Sequence, residues 1–458
     1  MDPTEGGMEP NSQLDALLDQ AGMSRAGLAA RINRLGDQAG ITLRYDHTAV
    51  ARWLKGQRPR GSVPELICEI LGRQLDRTLT LSDIGMDVPA DGRLPGTALG
   101  SEAAGLDRFV ERAASLWRSD RVHGGRLGPA LLTGGAAVAP VWEWENPPED
   151  RDVSRTGGAE VTGADVGVLH AARGHYEHLY RNAGGVATRG RVVGFLHGEV
   201  APLLRGSYDD TTGRALCRAA GSLAAISGIC AYDADAQGLA QRYFHQALRL
   251  GKASGDLVFG GYVVALLVNQ ALFLGDTRHA LACSEALLRT TGPRISAALA
   301  TDVYAMQAGA YARLGDRRSA HDCMRRAEAY SERIRPAEEP EETSYVQPGL
   351  VEVRLAEALI LLGELSAAAE YAQRAARAPA HARGRVNRLA TLTDVALHAG
   401  EPERAAVTAA EMVDTAQGIE SQRLRGRMRR VRKRLEQHPG TSAVEAAKLI
   451  EDSLSVPF

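Results

Sequence analysis

Four stretches between residues 272 and 412 repeat one pattern: LFLGDTRHALACSEAL, ARLGDRRSAHDCMRRA, ILLGELSAAAEYAQRA and LHAGEPERAAVTAAEM. Each places a glycine and, five residues on, an alanine: Gly275/Ala280, Gly315/Ala320, Gly363/Ala368 and Gly400/Ala405. GLAQRYFHQAL, around Ala240, Phe244 and Ala247, reads as an earlier copy that lacks the glycine. From Ala240 the alanines advance by 40, 40, 48 and 37 residues. Glycine allows the sharp reversal between two helices, and a small residue lets those helices approach closely. One such helix pair cannot bury its apolar side alone, so successive copies must stack and share a core. This pattern predicts an α-solenoid over residues 161–438, with 439–458 as a C-terminal tail. The spacing resembles tetratricopeptide repeats, lengthened beyond their usual ~34-residue period.

Ahead of the repeats the chain reads differently. Residues 11–85 divide into short helices. Ser12 opens one with Leu14, Leu17 and Leu18 on a face, and Gly22 stands where it would stop. Ser24 caps a second carrying Leu28, Ile32 and Leu35, and Thr48–Lys55 forms a third. Ser62-Val-Pro-Glu65 is a capping-box pattern opening a fourth, with Leu66, Ile67, Ile70, Leu71 and Leu75 inward. Residues 86–160, punctuated by glycine and proline, read as a linker with one amphipathic helix built on Leu106, Phe109, Val110, Ala113, Leu116 and Trp117. AAVAPVWEWENPPED reads as a short strand followed by a loop.

The formal net charge is −2, so any contact with nucleic acid must come from a local patch. Such a patch exists. Between residues 24 and 60 stand Arg25, Arg31, Arg34, Arg44, Arg52, Lys55, Arg58 and Arg60, against only Asp37 and Asp46. On the third helix Val50, Trp53 and Leu54 form an inward stripe, and Thr48, Arg52 and Lys55 lie opposite. HTAVARWLKGQRP resembles the third helix and following turn of Cro-type (lambda-repressor-like) helix-turn-helix domains. That resemblance implies that His47, Thr48, Ala49 and Arg52 face base edges in the major groove, with Lys55, Arg58 and Arg60 on phosphates. It places Arg25, at the start of the second helix, at a backbone-phosphate position. The stretch LGDQAGITLRYDH makes the turn before the third helix about 13 residues, longer than the family's tight turn.

A wider resemblance covers most of the chain. LRYDHTAVARWLKGQRPRGSVPELI, GGVATR, LLRGSYDDTTGRAL and AYDADAQGLAQRYFHQALRL are similar to segments of large actinobacterial transcriptional regulators. Those proteins join a Cro-type domain to tetratricopeptide repeats and include negative regulators of sporulation and antibiotic production. The resemblance implies a cytoplasmic, non-enzymatic regulator of development or secondary metabolism that acts as a repressor. The expected fold class is all-α: a small helix-turn-helix domain followed by a tetratricopeptide-like solenoid. Expected partners are double-stranded DNA, a second copy in a homodimer, and a peptide or small-molecule effector in the repeat groove. Asn269, Gln270, Tyr304, Gln307 and Tyr311, on first helices of successive repeats, are candidates to line that groove. The competing class is a repeat-based protein-interaction adaptor without sequence-specific DNA binding, favoured by the long turn.

Other chemistry finds little support. HAARGHYEH clusters His170, His175, Glu177 and His178, but without HExxH or a second ligand pair it reads as helix-surface histidines, and no metal is expected. No GxxxxGK[ST] loop, GxGxxG fingerprint or nucleophile elbow occurs in its proper setting, so neither a cofactor nor an enzymatic centre is expected. The five cysteines are scattered, as in a reduced cytoplasmic protein. The N-terminus MDPTEGGMEP is unlike a secretory signal, and no apolar run of about 18 residues spans a membrane. SQRLRGRMRRVRKRLEQ carries eight basic residues between Arg423 and Arg434 behind an apolar stripe of Leu424, Met428, Val431 and Leu435. It reads first as a helix closing the solenoid, and second as a further DNA contact.

Overall fold

The computed structural model describes residues 10–38, 43–57, 59, 63–75, 79, 81, 83–86, 105–124, 129–146 and 150–456. The fold is all-α, and it divides into a smaller unit, Met1–Ala98 with Val122–Leu127, and a larger one, Leu99–Arg121 with Gly128–Phe458. Strand-like pairing among the described residues is confined to two isolated bridges, Arg155 with Tyr208 and Glu160 with Ser207.

In the smaller unit, α1 (Ser12–Gln20), α2 (Arg25–Gln38), α3 (His47–Leu54) and α4 (Val63–Gln74) enclose one apolar core. Leu14, Leu28, Ile32, Val50, Ile67 and Leu71 are all fully buried there. Asn11, rather than Ser12, caps α1, accepting from the Leu14 amide at 3.0 Å while its own amide donates to the Ile84 carbonyl. Ser24 Oγ accepts from the Gly27 amide at 3.1 Å, as the sequence predicts for the start of α2. Gly22 takes a positive φ of 57°. Ser62 lies outside the described residues. The turn before α3 is shorter than expected. Gly36 does not end α2, which runs on to Gln38, so only residues 39–46 connect the two helices.

The larger unit begins with α5 (Leu106–His123) and α6 (Gly135–Glu145). These are not a linker. Phe109, Val110, Ala113 and Trp117 are buried in the main core, and Trp117 Nε1 donates to Gln246 Oε1 at 2.9 Å. The expected strand over 136–145 is helical, with Pro140 inside it. Ala137, Val141 and Trp144 turn inward on a short helix that packs against two later ones, so burial of that face outweighs the hydrogen bond that proline removes. An apolar run of this length does not by itself distinguish strand from helix.

There follow α7 (Gly163–Ala183), α8 (Gly185–Phe195) and, after a π-helical turn, α9 (Ala201–Leu204), then the long α10 (Asp210–Asp233). The repeats proper are antiparallel pairs. They comprise α10 with α11 (Gln237–Ser254), α12 (Leu257–Leu274) with α13 (Thr277–Thr291), α14 (Ala297–Arg313) with α15 (Arg317–Ser331), α16 (Leu350–Leu362) with α17 (Leu365–Arg377), and α18 (Ala382–His398) with α19 (Pro402–Thr415). Two further helices, α20 (Gln422–Leu435) and α21 (Thr441–Ser455), end the stack. The expected C-terminal tail is therefore mostly α21, whose Ala443, Ala446, Ala447 and Ile450 are buried in the last core cluster.

The Gly–Ala pattern is a pair of structural devices. Gly275, Gly315, Gly363 and Gly400 all adopt φ between 75° and 83°. Asp276 and Asp316, next in line, cap the following helices by accepting from the His279 and Ser319 amides. The alanines five residues on are buried where the paired helices meet. In the copy without glycine, Asp235 occupies the corresponding place with φ 63°, a left-handed conformation that aspartate tolerates better than most residues. The long alanine step of 48 residues contains an extra segment between α15 and α16 that returns to earlier helices. Its Glu341 pairs with Arg173 at 2.7 Å, Glu342 with Arg218 at 2.8 Å, and Tyr345 donates to Asp302 at 2.7 Å.

A buried carboxylate joins the two ends of this array. Asp233, at the end of α10, accepts from the Gly185 amide at 2.8 Å, from Ser421 Oγ at 2.8 Å and from Arg383. Beside it the Glu420 amide donates to Ala183 O at 2.9 Å. Gly184 is required there, because a Cβ would overlap the Glu420 carbonyl. By length and composition α10 and α12 pass for membrane spans, but 83% and 61% of their apolar windows are buried inside the stack.

Candidate nucleic-acid interface

Helix α3 begins one residue earlier than the sequence suggests, because Asp46 caps it. Its carboxylate accepts from the Thr48 amide at 3.1 Å, the Ala49 amide at 2.9 Å and the Thr48 hydroxyl at 2.6 Å. These bonds, the Thr48 hydroxyl first, hold the Asp46 carboxyl below its ordinary range, so it stays ionised. Trp53, buried on the inner side, meets the Tyr45 ring edge-on at 5.2 Å. Asn33 of α2 then clamps Tyr45 by two bonds: its amide donates to Tyr45 O at 2.8 Å and its carbonyl accepts from Tyr45 N at 2.9 Å. The helix is thus fixed at its entry by Asn33, Tyr45 and Asp46. Sequence reasoning missed all three, although Asp immediately before a short amphipathic helix is a capping signal.

The outer side of α3 is what the sequence promised, with one exception. His47, Thr48, Arg52 and Lys55 are exposed, as is Arg25 at the first position of α2. Arg25, Arg52 and Lys55 make no ion pair with any described residue. Ala49 does not belong with them. It is 3% exposed and packs in the domain core, because it shares the inward stripe with Val50 and Trp53. Its methyl is therefore turned away from any bound duplex. Arg58 and Arg60 lie outside the described residues. Arg34 and Arg44 add exposed charge, while Arg31 is held by Gln74 Oε1 at 3.2 Å. A rigid, capped helix with a buried indole on one side and unpaired cations on the other is suited to phosphate and base-edge contacts.

The repeat-groove candidates fare differently. They do lie on α12 and α14, but Gln270 and Gln307 are buried and engaged between helices. Gln270 Nε2 donates to the Gln237 carbonyl at 2.8 Å, and Gln307 Nε2 to Ser284 Oγ at 3.0 Å. Interhelical bonding accounts for both, because a buried amide must find a partner and the neighbouring helix supplies it. Asn269 donates to Tyr232 Oη at 3.1 Å, and Tyr304 stacks on Tyr330 at 5.6 Å. Asn269, Tyr304 and Tyr311 remain half-buried. His170, His175 and His178 are exposed on α7, and no group of metal-ligating side chains occurs among the described residues.

Residues 14–87 match the family described as the SP15 N-terminal domain, a span that coincides with the four-helix unit. No curated protein gives a significant match to the chain.

Proposed function

We propose that this chain is a sequence-specific, non-enzymatic DNA-binding transcriptional regulator, acting as a repressor of development or secondary metabolism in the cytoplasm. The four-helix unit grips a promoter, and the repeat unit serves dimerisation and effector sensing. The observation that carries this reading is the outer side of α3, where Arg52 and Lys55 stand exposed, with no ion pair to any described residue, over a buried Trp53. The connection before α3, residues 39–46, is shorter than the sequence suggested, which weakens the feature that favoured a protein-interaction adaptor. A single small helix-turn-helix has limited affinity, so two copies on half-sites one helical turn (~34 Å) or multiples apart are expected.

The test is chromatin immunoprecipitation with sequencing, followed by footprinting of the recovered sites with wild type and Arg52→Ala. Recovery of a symmetric motif that wild type protects and Arg52→Ala does not supports the reading. An unchanged footprint removes Arg52 from the base-reading set, and recovery of no motif at all defeats sequence-specific binding.

A further inference from the structure

Four repeats reverse at their glycines, so those turns lie at the same end of first helices that pack side by side. Beside three of the turns stand leucines that the core does not take up. Leu274 and Leu314 directly precede their glycines, Leu361 comes two residues before Gly363, and they are 39%, 51% and 52% exposed. Bonds between repeats bring these helix ends together. Arg313, next to Leu314, donates to the Leu272 carbonyl, while Arg317 donates to the Leu362 carbonyl and pairs with Glu364 at 2.5 Å. One exposed leucine is ordinary, but three on neighbouring helix ends form a row. The space over that row is open, since a Cβ added at Gly275, Gly315, Gly363 or Gly400 would meet no described atom within 4 Å.

The charge along the same edge changes sign. The third residue after each glycine is Arg278, Arg318, Ser366 and Glu403 in turn, all exposed. Arg278, Arg318 and Glu403 form no ion pair with any described residue. The acids nearer the glycines are already engaged: Asp276 and Asp316 cap helices, Glu364 holds Arg317, and Glu401 holds Arg404 at 2.9 Å. The uncommitted charges therefore run from positive to negative across Ser366. Within one chain this order gains nothing, because Arg318 and Glu403 stand two helix spacings apart, about 20 Å, where salt screens them. Between two chains it is its own complement. A two-fold axis through the repeat that carries Leu361 and Ser366 sets Arg318 of each chain against Glu403 of the other.

We propose that this edge is where a second copy of the chain docks, with the two Leu361 side chains meeting at the axis and Arg318 facing Glu403 of the second copy. Leu314 then covers the exposed Ala399 of the second copy. Four turns at a helix spacing of about 8–10 Å extend roughly 30 Å, enough for the ~800 Å² per partner of a standard interface. The arrangement is isologous and closes at two copies. It rests on the dimer that the DNA-binding reading expects, but it is measured without DNA.

Sedimentation equilibrium of the DNA-free, full-length protein across the micromolar range tests the proposal, with circular dichroism as the check on folding. Wild type should be a dimer. Leu361→Glu, which acts twice in a two-fold interface, should raise the dimer dissociation constant about a hundredfold with helicity unchanged. Arg318→Glu and Glu403→Arg should each weaken the dimer about tenfold, and the double variant should restore it. Should Leu361→Glu lose helicity, this charge exchange decides alone. A monomeric wild type, which would leave the row to a different protein, overturns the proposal. So does a dimer indifferent to Leu361→Glu, or a double variant no tighter than the single ones. A dimer that Leu361→Glu dissociates, but that recovers no promoter motif, upholds the surface and defeats the DNA-binding reading. A monomer that protects a symmetric motif does the opposite.

Discussion

Helices α3 and α20 look alike in sequence, each amphipathic with a cationic back, yet five of the eight cations of α20 are engaged within the fold, whereas Arg52 and Lys55 of α3 pair with no described residue. On α20, Arg427 pairs with Glu357 at 2.5 Å and Arg434 with Asp394 at 3.1 Å. Arg432 reaches Glu436 and Glu451, Arg425 bonds the Leu454 carbonyl, and Arg423 lies 4.0 Å over the Tyr232 ring. These cations join α20 to α10, α16, α18 and α21. On α3, Arg52 and Lys55 have no such engagement with any described residue, and Asp46 at the start of the helix is committed to capping. Counting basic residues therefore says little. What distinguishes an interface from a brace is whether the cations have already found their acids within the fold.

That contrast can be broken at several points. Trp53→Ala removes the centre of the small core and should cost about 3–5 kcal/mol, abolishing DNA binding through unfolding of its unit; circular dichroism with denaturant titration reads this. Arg427→Ala should destabilise the repeat unit by roughly 1–3 kcal/mol, a range reduced because Glu357 is partly exposed, and leave DNA affinity unchanged. Arg52→Ala should do the reverse: stability within about 0.5 kcal/mol of wild type, and a loss of about 1–3 kcal/mol at cognate DNA in a mobility shift. If these two variants behave alike, the distinction between brace and interface is wrong.

A pH effect between about 6.5 and 4 is expected in the repeat unit. Burial, aided by Arg181, Arg383 and Arg388, pushes His381 down to about 4, and its Nδ1 caps α18 by accepting from the Gly384 amide. Its folded pKa lies below the unfolded value of 6.5, so its contribution is complete above that pH and is lost as pH falls toward about 4. A loss of roughly 1 kcal/mol across that window, flattened by His381→Asn, is expected in urea unfolding monitored at several pH values. The smallest effect is Lys55→Ala, which should weaken all DNA sequences alike and reduce the salt slope of binding by about one.

The repeat architecture was legible because its signal is covalent chemistry at fixed spacing: glycines for positive φ, alanines for close approach. The one copy that lacks glycine was found through its alanines, while the substitute, Asp235, gave no advance notice. The helix on Leu106 to Trp117 was legible from its spacing, but its place in the main core and the helix over 135–145 were not, because proline and glycine resemble a linker and only tertiary packing shows that Trp144 is core. Gly260 exists to admit Trp144, since a Cβ there would overlap the indole. On α3 the amphipathic pattern agrees with the exposure of Arg52 and Lys55, whereas the family resemblance set Ala49 among base-facing residues although it packs in the core beside the apolar stripe. Gln270 and Gln307 failed for a related reason: helical periodicity names a face, and in a stack every face has a neighbour.

The Asp233 junction changes what kind of object the stack is. Ordinary solenoids behave as springs, gaining or shedding modules at their free ends and stretching under load. Here one carboxylate staples segments at 185, 383 and 421, so extension must first rupture that clasp. Trimming the array from its carboxyl end would strand a naked anion in its interior, and insertion of a module would pull the staple apart. Its length is in effect fixed by a single side chain.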